Sequence, residues 1–221
     1  MRSVRLSDGL FPVIGTSFRS FYRRYVFLNY RAAVGDCGMV AYGVIDPKAG
    51  ISFVPAAYVR IEGTHLKMRR AMEDDPVLRL THVLDRKWRE TADFHLNTPY
   101  FDLFSRLADD RYDSEDPQLE NTRSCTWLDP VRNESFPDDL RVQLWNDMLA
   151  PAAVWVQARL VSGQQAYGTL LEEPCFDFGV HQGQMIDLHM VRLADGSRIC
   201  VHKSDAGNYR ASFAMRTVSC L

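Results

Sequence analysis

A chain of 221 residues with 46% hydrophobic and 24% charged side chains is long enough to bury a core without covalent staples, and its composition excludes disorder of the whole chain. The formal net charge of −2 supplies no global field toward nucleic acid or an anionic membrane. No stretch approaches the ~18 apolar residues of a membrane helix, and the polar Ser7-Asp8-Gly9 breaks any signal-peptide core, so a cytoplasmic protein is expected.

The five cysteines (Cys37, Cys125, Cys175, Cys200, Cys220) are odd in number and never spaced C-x-x-C. They read as reduced thiols rather than a disulfide framework or a structural zinc site, and no cofactor is expected. Of the 26 basic residues only Lys48, Lys67, Lys87 and Lys203 are lysines, which reads as the coding bias of a GC-rich bacterial genome. Charge is uneven along the chain: residues 1–70 hold eleven Lys/Arg against four Asp/Glu, and residues 71–140 hold eight against seventeen.

Phe21–Tyr30 is dense in Tyr, Phe and Val, which suit a half-buried strand. Gly38–Ile45 and Ile51–Ile61, joined by Asp46-Pro47-Lys48-Ala49-Gly50, predict a hairpin in which proline presets the turn and glycine supplies a positive φ. Thr64 is an N-cap candidate for a helix to about Glu73. Asp75-Pro76 opens a second predicted helix, in which Leu80, Val83, Leu84 and Trp88 recur at three- and four-residue intervals. Thr98-Pro99 opens a third, with Phe101, Phe104 and Leu107 as its apolar positions.

Residues 109–139 are polar and turn-rich, and predict a long surface connection with a short strand at Ser124–Leu128. A helix over Asp138–Met148 is expected next, its aspartates set against the N-terminal dipole. Then Ala153–Leu160, Ala166–Leu171, Met185–Leu193, Arg198–His202 and Arg210–Val218 read as five short strands separated by turns. The whole is an α+β chain: an N-terminal β-hairpin/helix unit (1–110), an acidic connection (111–137), and a helix plus small antiparallel β module (138–221), an SH3-like barrel or curled sheet.

Val154-Trp155-Val156, then Tyr167-Gly168-Thr169-Leu170-Leu171-Glu172-Glu173-Pro174, then Gln182-Gly183-Gln184-Met185-Ile186 resemble the small bacterial β domain catalogued as DUF2314. That family shows a Trp-Val strand, a G-x-L-x-N-x-P turn and a strand opening on Gly-Asp. Here Glu173 stands near the place of the asparagine, Gln184 replaces the aspartate, and the closing tryptophan is absent. The resemblance covers about residues 150–193. Related modules recur beside bacterial toxin systems, so it implies an immunity or interaction role.

No phosphate-binding glycine loop, G-x-S-x-G elbow or H-E-x-x-H helix is present. If Asp195-Gly196 forms a two-residue turn, His189 lies opposite His202, with Asp187 on the same face. That set is a possible divalent-ion site or a polar strand face, and no metal is expected. Cys175, Asp177 and His181 share a loop in which a thiol nucleophile would need a base and a third, orienting group; between Pro174 and Phe176, Cys175 reads instead as a small buried hydrophobe. Asp36-Cys37-Gly38 with His65 and His95 makes a second Cys–His set. Arg19, Arg23, Arg24 and Arg31 with Phe18, Phe21, Tyr22 and Tyr25 form either a nucleic-acid platform or a strand face with surface arginines.

The acidic run of Asp109, Asp110, Tyr112, Asp113, Glu115 and Asp116, flanked by Tyr100, Phe101, Phe104 and Trp127, is the expected partner-binding segment. Aromatic anchors beside charge are what interface hot spots use. The expectation is a non-enzymatic protein-binding protein, an immunity protein that neutralises a bacterial toxin or effector by covering it. The alternatives are a small hydrolase or transferase using the Cys/His or His/His/Asp residues, and a small-ligand or nucleic-acid sensor.

Overall fold

The computed structural model describes residues 18–63, 65–83, 86, 88–90, 99–112, 116–146 and 149–202. The chain is α+β and divides into two compact units, Met1–Asp113 and Ser114–Leu221.

The first unit is built on the predicted hairpin. Strands β1 (Tyr25–Leu28), β2 (Asp36–Asp46), β3 (Gly50–Glu62), β4 (His65–Arg70), β5 (Leu78–Arg79) and β6 (Trp88–Glu90) form a sheet in the order β4-β3-β2-β1-β6, with β5 also paired to β3. At the hairpin turn Asp46 Oδ1 accepts from the Lys48 and Ala49 amides (2.8 and 3.1 Å), and Gly50 closes the loop at φ 70°. Near-continuous apolar sequence in β2 and β3 has a physical reason: both faces of the sheet are covered. One face packs Met39, Ala41 and Phe53 against Phe18, Phe21, Leu80 and Trp88. The other lies under helix α2 (Pro99–Tyr112), with Phe101 on Val40, Ala57 and Val59 and Ala108 on Tyr42 and Val44. Gly43 admits a close approach: Arg23 N–H donates to its carbonyl (2.8 Å) and its own N–H donates to Arg24 (2.9 Å). A Cβ there would run into the Phe21 carbonyl.

Two predicted helices of this unit are corrected. The segment after Gly63 is the edge strand β4, because His65, Lys67 and Arg69 alternate with Leu66, Met68 and Arg70 at the period of a strand. The segment after Pro76 is β5, a single turn α1 (Leu80–Val83) and β6. Leu78, Leu80, Val83 and Trp88 all reach one core from these short pieces, so burial satisfies the apolar spacing without a continuous helix. The predicted helix at Thr98-Pro99 is present and longer than expected.

The second unit is a closed barrel of β7 (Asp139–Leu144), β8 (Ala152–Ser162), β9 (Gln165–Leu170), β10 (Met185–Arg192) and β11 (Arg198–His202). Consecutive strands are antiparallel, and β11 closes on β7 in parallel, Cys200 facing Val142. That direction is forced, since the first and fifth strands of an up-and-down meander point the same way. Closure leaves no exposed edge. Leu140, Val142, Val156, Ala158, Leu170, Ile186, Leu188 and Cys200 fill the interior, with Leu128 and Val131 from outside the strands.

Here the predicted helix over Asp138–Met148 is strand β7, with Leu140, Val142 and Leu144 buried in alternation. Much of the expected surface connection is helical: α3 (Pro117–Ser124) and a 3-10 turn (Thr126–Val131), which also replaces the strand expected at Ser124–Leu128. The strand expected at Arg210–Val218 lies outside the described residues.

Arg123 explains why α3 is fixed. Its side chain is only 2% exposed, and a buried guanidinium is tolerated only when fully paired. Nε and Nη2 donate to Asp138 Oδ1 and Oδ2 (2.9 and 2.7 Å), and Nη1 donates to Glu120 Oε1 (2.5 Å). Arg132 adds donors to the Thr122 and Pro137 carbonyls (2.5 and 2.6 Å).

Asp138→Ala leaves Nε and Nη2 of the buried guanidinium without acceptors while Glu120 still pairs Nη1, and is expected to destabilise by about 1–3 kcal/mol; urea unfolding checks this. Burial, and then the adjacent Asp138 charge, push the Asp139 carboxyl up to about 6. The unfolded chain holds such a group near its ordinary value of about 3.9. The associated stability is therefore present below that pH and lost as pH rises through about 6. Asp139→Asn is expected to melt above the wild type at pH 8 and to match it at pH 3.5; an unchanged melting profile at both would refute the burial argument.

Candidate interaction surface

Helix α2 lies on the sheet by one face and presents the other to solvent. Phe101, Phe104 and Ala108 point to the sheet, and two ties hold the helix there. Tyr25 donates its hydroxyl to the Phe101 carbonyl (2.6 Å). Tyr42 donates to Asp109 Oδ1 (3.0 Å), and Arg23 Nε lies 3.9 Å from the same carboxylate. Burial, then for Tyr42 the Asp109 charge, pushes both phenols well above their ordinary value, so each stays a proton donor.

The outer face is unusual for a surface helix. Leu103 and Leu107, one turn apart, are 55% and 59% exposed. Asp110 follows on the same face and is exposed, as are Asp102 and Arg106. Sequence spacing placed Leu107 with the core aromatics; in the structure it faces solvent. Leu103 carries its own sequence signal, the four-residue spacing to Leu107 on the face opposite Phe101.

The predicted acidic residues are spread over different settings. Asp109 faces the sheet in the contacts above, whereas Asp110 is exposed and Tyr112 half-buried against the Val44 side of the sheet. Asp116 caps α3, its Oδ1 accepting from the Gln118 amide (2.9 Å). Asp113 and Glu115 lie outside the described residues. Of the flanking aromatics, Tyr100 donates to the Ala56 carbonyl (2.7 Å), and Arg70 lies 4.4 Å over its ring.

The other predicted constellations separate. His189 does not face His202: Leu188 pairs with His202 and His189 with Val201. The cause is the turn. Gly196 N–H donates to Leu193 O and Leu193 N–H to Ser197 O (3.0 and 2.9 Å), with Gly196 at φ 85°. That is a three-residue loop with a bulge rather than a two-residue turn, and one extra residue moves every later side chain to the opposite face. Asp187 and His202 do meet, at 3.1 Å. Among the described residues no group of three His, Cys, Asp or Glu is placed to hold a metal.

In the 171–184 loop, Glu173 Oε1 engages His181 Nδ1 (2.7 Å) and Oε2 accepts from the Gln182 amide (2.8 Å). Cys175 is exposed, which corrects the small buried hydrophobe expected between Pro174 and Phe176. Asp177 Oδ1 accepts from the Gly179 amide (2.8 Å). Asp36 is buried against Arg69 (3.2 Å) and Arg60 (3.8 Å). Burial raises the Cys37 thiol, opposite to the lowering that activates a nucleophilic thiolate. His65 stands opposite Glu62 in the β3–β4 ladder, and His95 lies outside the described residues. In the basic N-terminal run, Phe18 and Phe21 are core residues, while Arg19 lies 5.0 Å over the Phe18 ring and Arg23 5.3 Å over the half-buried Tyr22 ring.

Among the described residues no helix is long and apolar enough to cross a membrane. No protein-family model, curated protein or solved structure matches this chain.

Glu173 holds the exposed His181 imidazole above its ordinary pKa, and the hydrogen bond from His181 holds the Glu173 carboxyl below its own. In a proton NMR titration His181 is expected to lose its proton at higher pH than in a Glu173→Gln variant. Identical curves would show that the pair does not form in solution.

Proposed function

We propose that the protein is a non-enzymatic binding protein of the immunity type, which neutralises a bacterial toxin or effector in the cytoplasm by direct contact. The observation that carries the reading is the exposed pair Leu103 and Leu107 on α2. Apolar residues at i and i+4 occupy two of the anchor positions by which a helix docks into a partner's groove. Asp102 and Asp110 border the pair, and the run Tyr112, Asp113, Glu115 and Asp116 continues from the helix end. The partner expected from this chemistry offers an apolar groove rimmed by basic groups, with the charges speeding encounter and the leucines setting the dissociation rate.

The DUF2314-like stretch falls on β8 through β10. In the same reading that barrel is an SH3-like module following an N-terminal α+β unit, of the kind found beside toxin systems.

The test is affinity capture from the native lysate with wild type and a Leu103→Lys, Leu107→Lys variant. Both side chains are exposed, so the variant is expected to melt within a few degrees of wild type while losing a stoichiometric partner. Asp110→Lys alone is expected to weaken capture most at low salt. Retention of the partner by the double variant would remove α2 from the account.

A further inference from the structure

One mouth of the barrel holds a cavity that the α2 reading leaves unused. It has a volume of about 390 Å3 and is lined by Trp127, Gln164, His189, Met190, Arg192 and Arg198 among others. The strand ladder explains why these residues meet. Arg192 and Arg198 are direct cross-strand partners at the end of β10 and β11, two residues beyond the Met190–Cys200 pair. Gln164 comes from the β8–β9 turn, which reaches the same end because β9 and β10 run antiparallel. Trp127, from the 3-10 turn, and Met190 pack on the barrel core and form the apolar side.

Like charges directly opposite on neighbouring strands destabilise a sheet. Neither guanidinium has a carboxylate within ion-pair distance among the described residues. The nearest acid in the hairpin, Asp195, is turned onto its own loop, accepting from the Ser197 amide and hydroxyl (2.9 and 2.6 Å). Two guanidiniums with no carboxylate partner among the described residues line one cavity together with the Gln164 amide and the Trp127 indole.

We propose that this mouth binds a small phosphate monoester carrying a planar ring, of the nucleoside monophosphate class. Charge selects the head group, because a phosphate monoester is close to a dianion at neutral pH and two guanidiniums match it better than they match a single carboxylate. Guanidinium forks also supply paired donors to its oxygens. Trp127 and Met190 supply the surface for a ring, and the volume falls within the ~300–1,000 Å3 of small-ligand sites.

The experiment is titration of the full chain at low salt with AMP, adenosine and inorganic phosphate, read by calorimetry and by tryptophan fluorescence. Trp127→Phe serves to assign the optical signal. AMP is expected to bind, inorganic phosphate to bind more weakly, and adenosine to leave no heat. Arg198→Gln is expected to weaken AMP by about tenfold or more, the loss of a charge-assisted hydrogen-bond pair. Without ligand, Arg192→Gln is expected to raise the melting temperature by relieving the repulsion, which also shows that the variant folds. No AMP binding, equal binding by the Arg198→Gln variant, or phosphate binding as tightly as AMP would each overturn the proposal.

Discussion

A guanidinium buried where water cannot reach it dictates the arrangement of the second unit. Arg123 must find hydrogen-bond acceptors for its charge, and it finds them on Asp138, at the entrance to β7, and on Glu120, one turn back in its own helix. Both acceptors lie on the side of the strands from which the chain enters the barrel. Helix α3 and the 3-10 turn are therefore tied to the first strand, which brings Leu128 and Val131 into the barrel core. A polar, turn-rich stretch thus becomes structural through the two ion pairs of one arginine. Asp139 carries the cost, a second carboxylate held half-buried beside the first.

That coupling also marks how far the sequence could be read. The hairpin, α2 and four barrel strands were legible because each carries its own period and its own turn residues. Asp139–Leu144 has the alternation of a strand, yet two leading aspartates imitate a helix N-terminus, and the strand's partner β11 lies far along the chain. His65–Arg70 alternates too, but as a basic edge strand it lacks the β-branched residues that usually announce one. The pieces around Leu80 keep helical spacing while forming little helix, because the core they share accepts residues from short turns as readily as from one long element. None of these outcomes is local.

Site residues proved harder to read than elements. A difference of one residue in the Ala194–Gly196 loop separates His189 from His202, and the same shift puts Arg192 opposite Arg198. Loop length decides which side chains face each other, and Asp-Gly is compatible with more than one loop. The acidic run was visible as composition, but composition does not say that Asp109 turns inward to Tyr42 or that Asp116 caps a helix. Leu103 and Leu107 look like core residues until the opposite face of α2 is seen to hold Phe101, Phe104 and Ala108.

The parallel closure of the barrel has a mechanical meaning. Because β7 and β11 run the same way, the chain enters β7 at one end of the barrel and leaves β11 at the other. Tension drawn along the chain would pull these neighbouring strands past each other, loading the hydrogen bonds between them together. An antiparallel closure would place entry and exit side by side, where the same tension opens the bonds one at a time. An odd number of strands thus gives this small barrel a seam arranged to resist stretching.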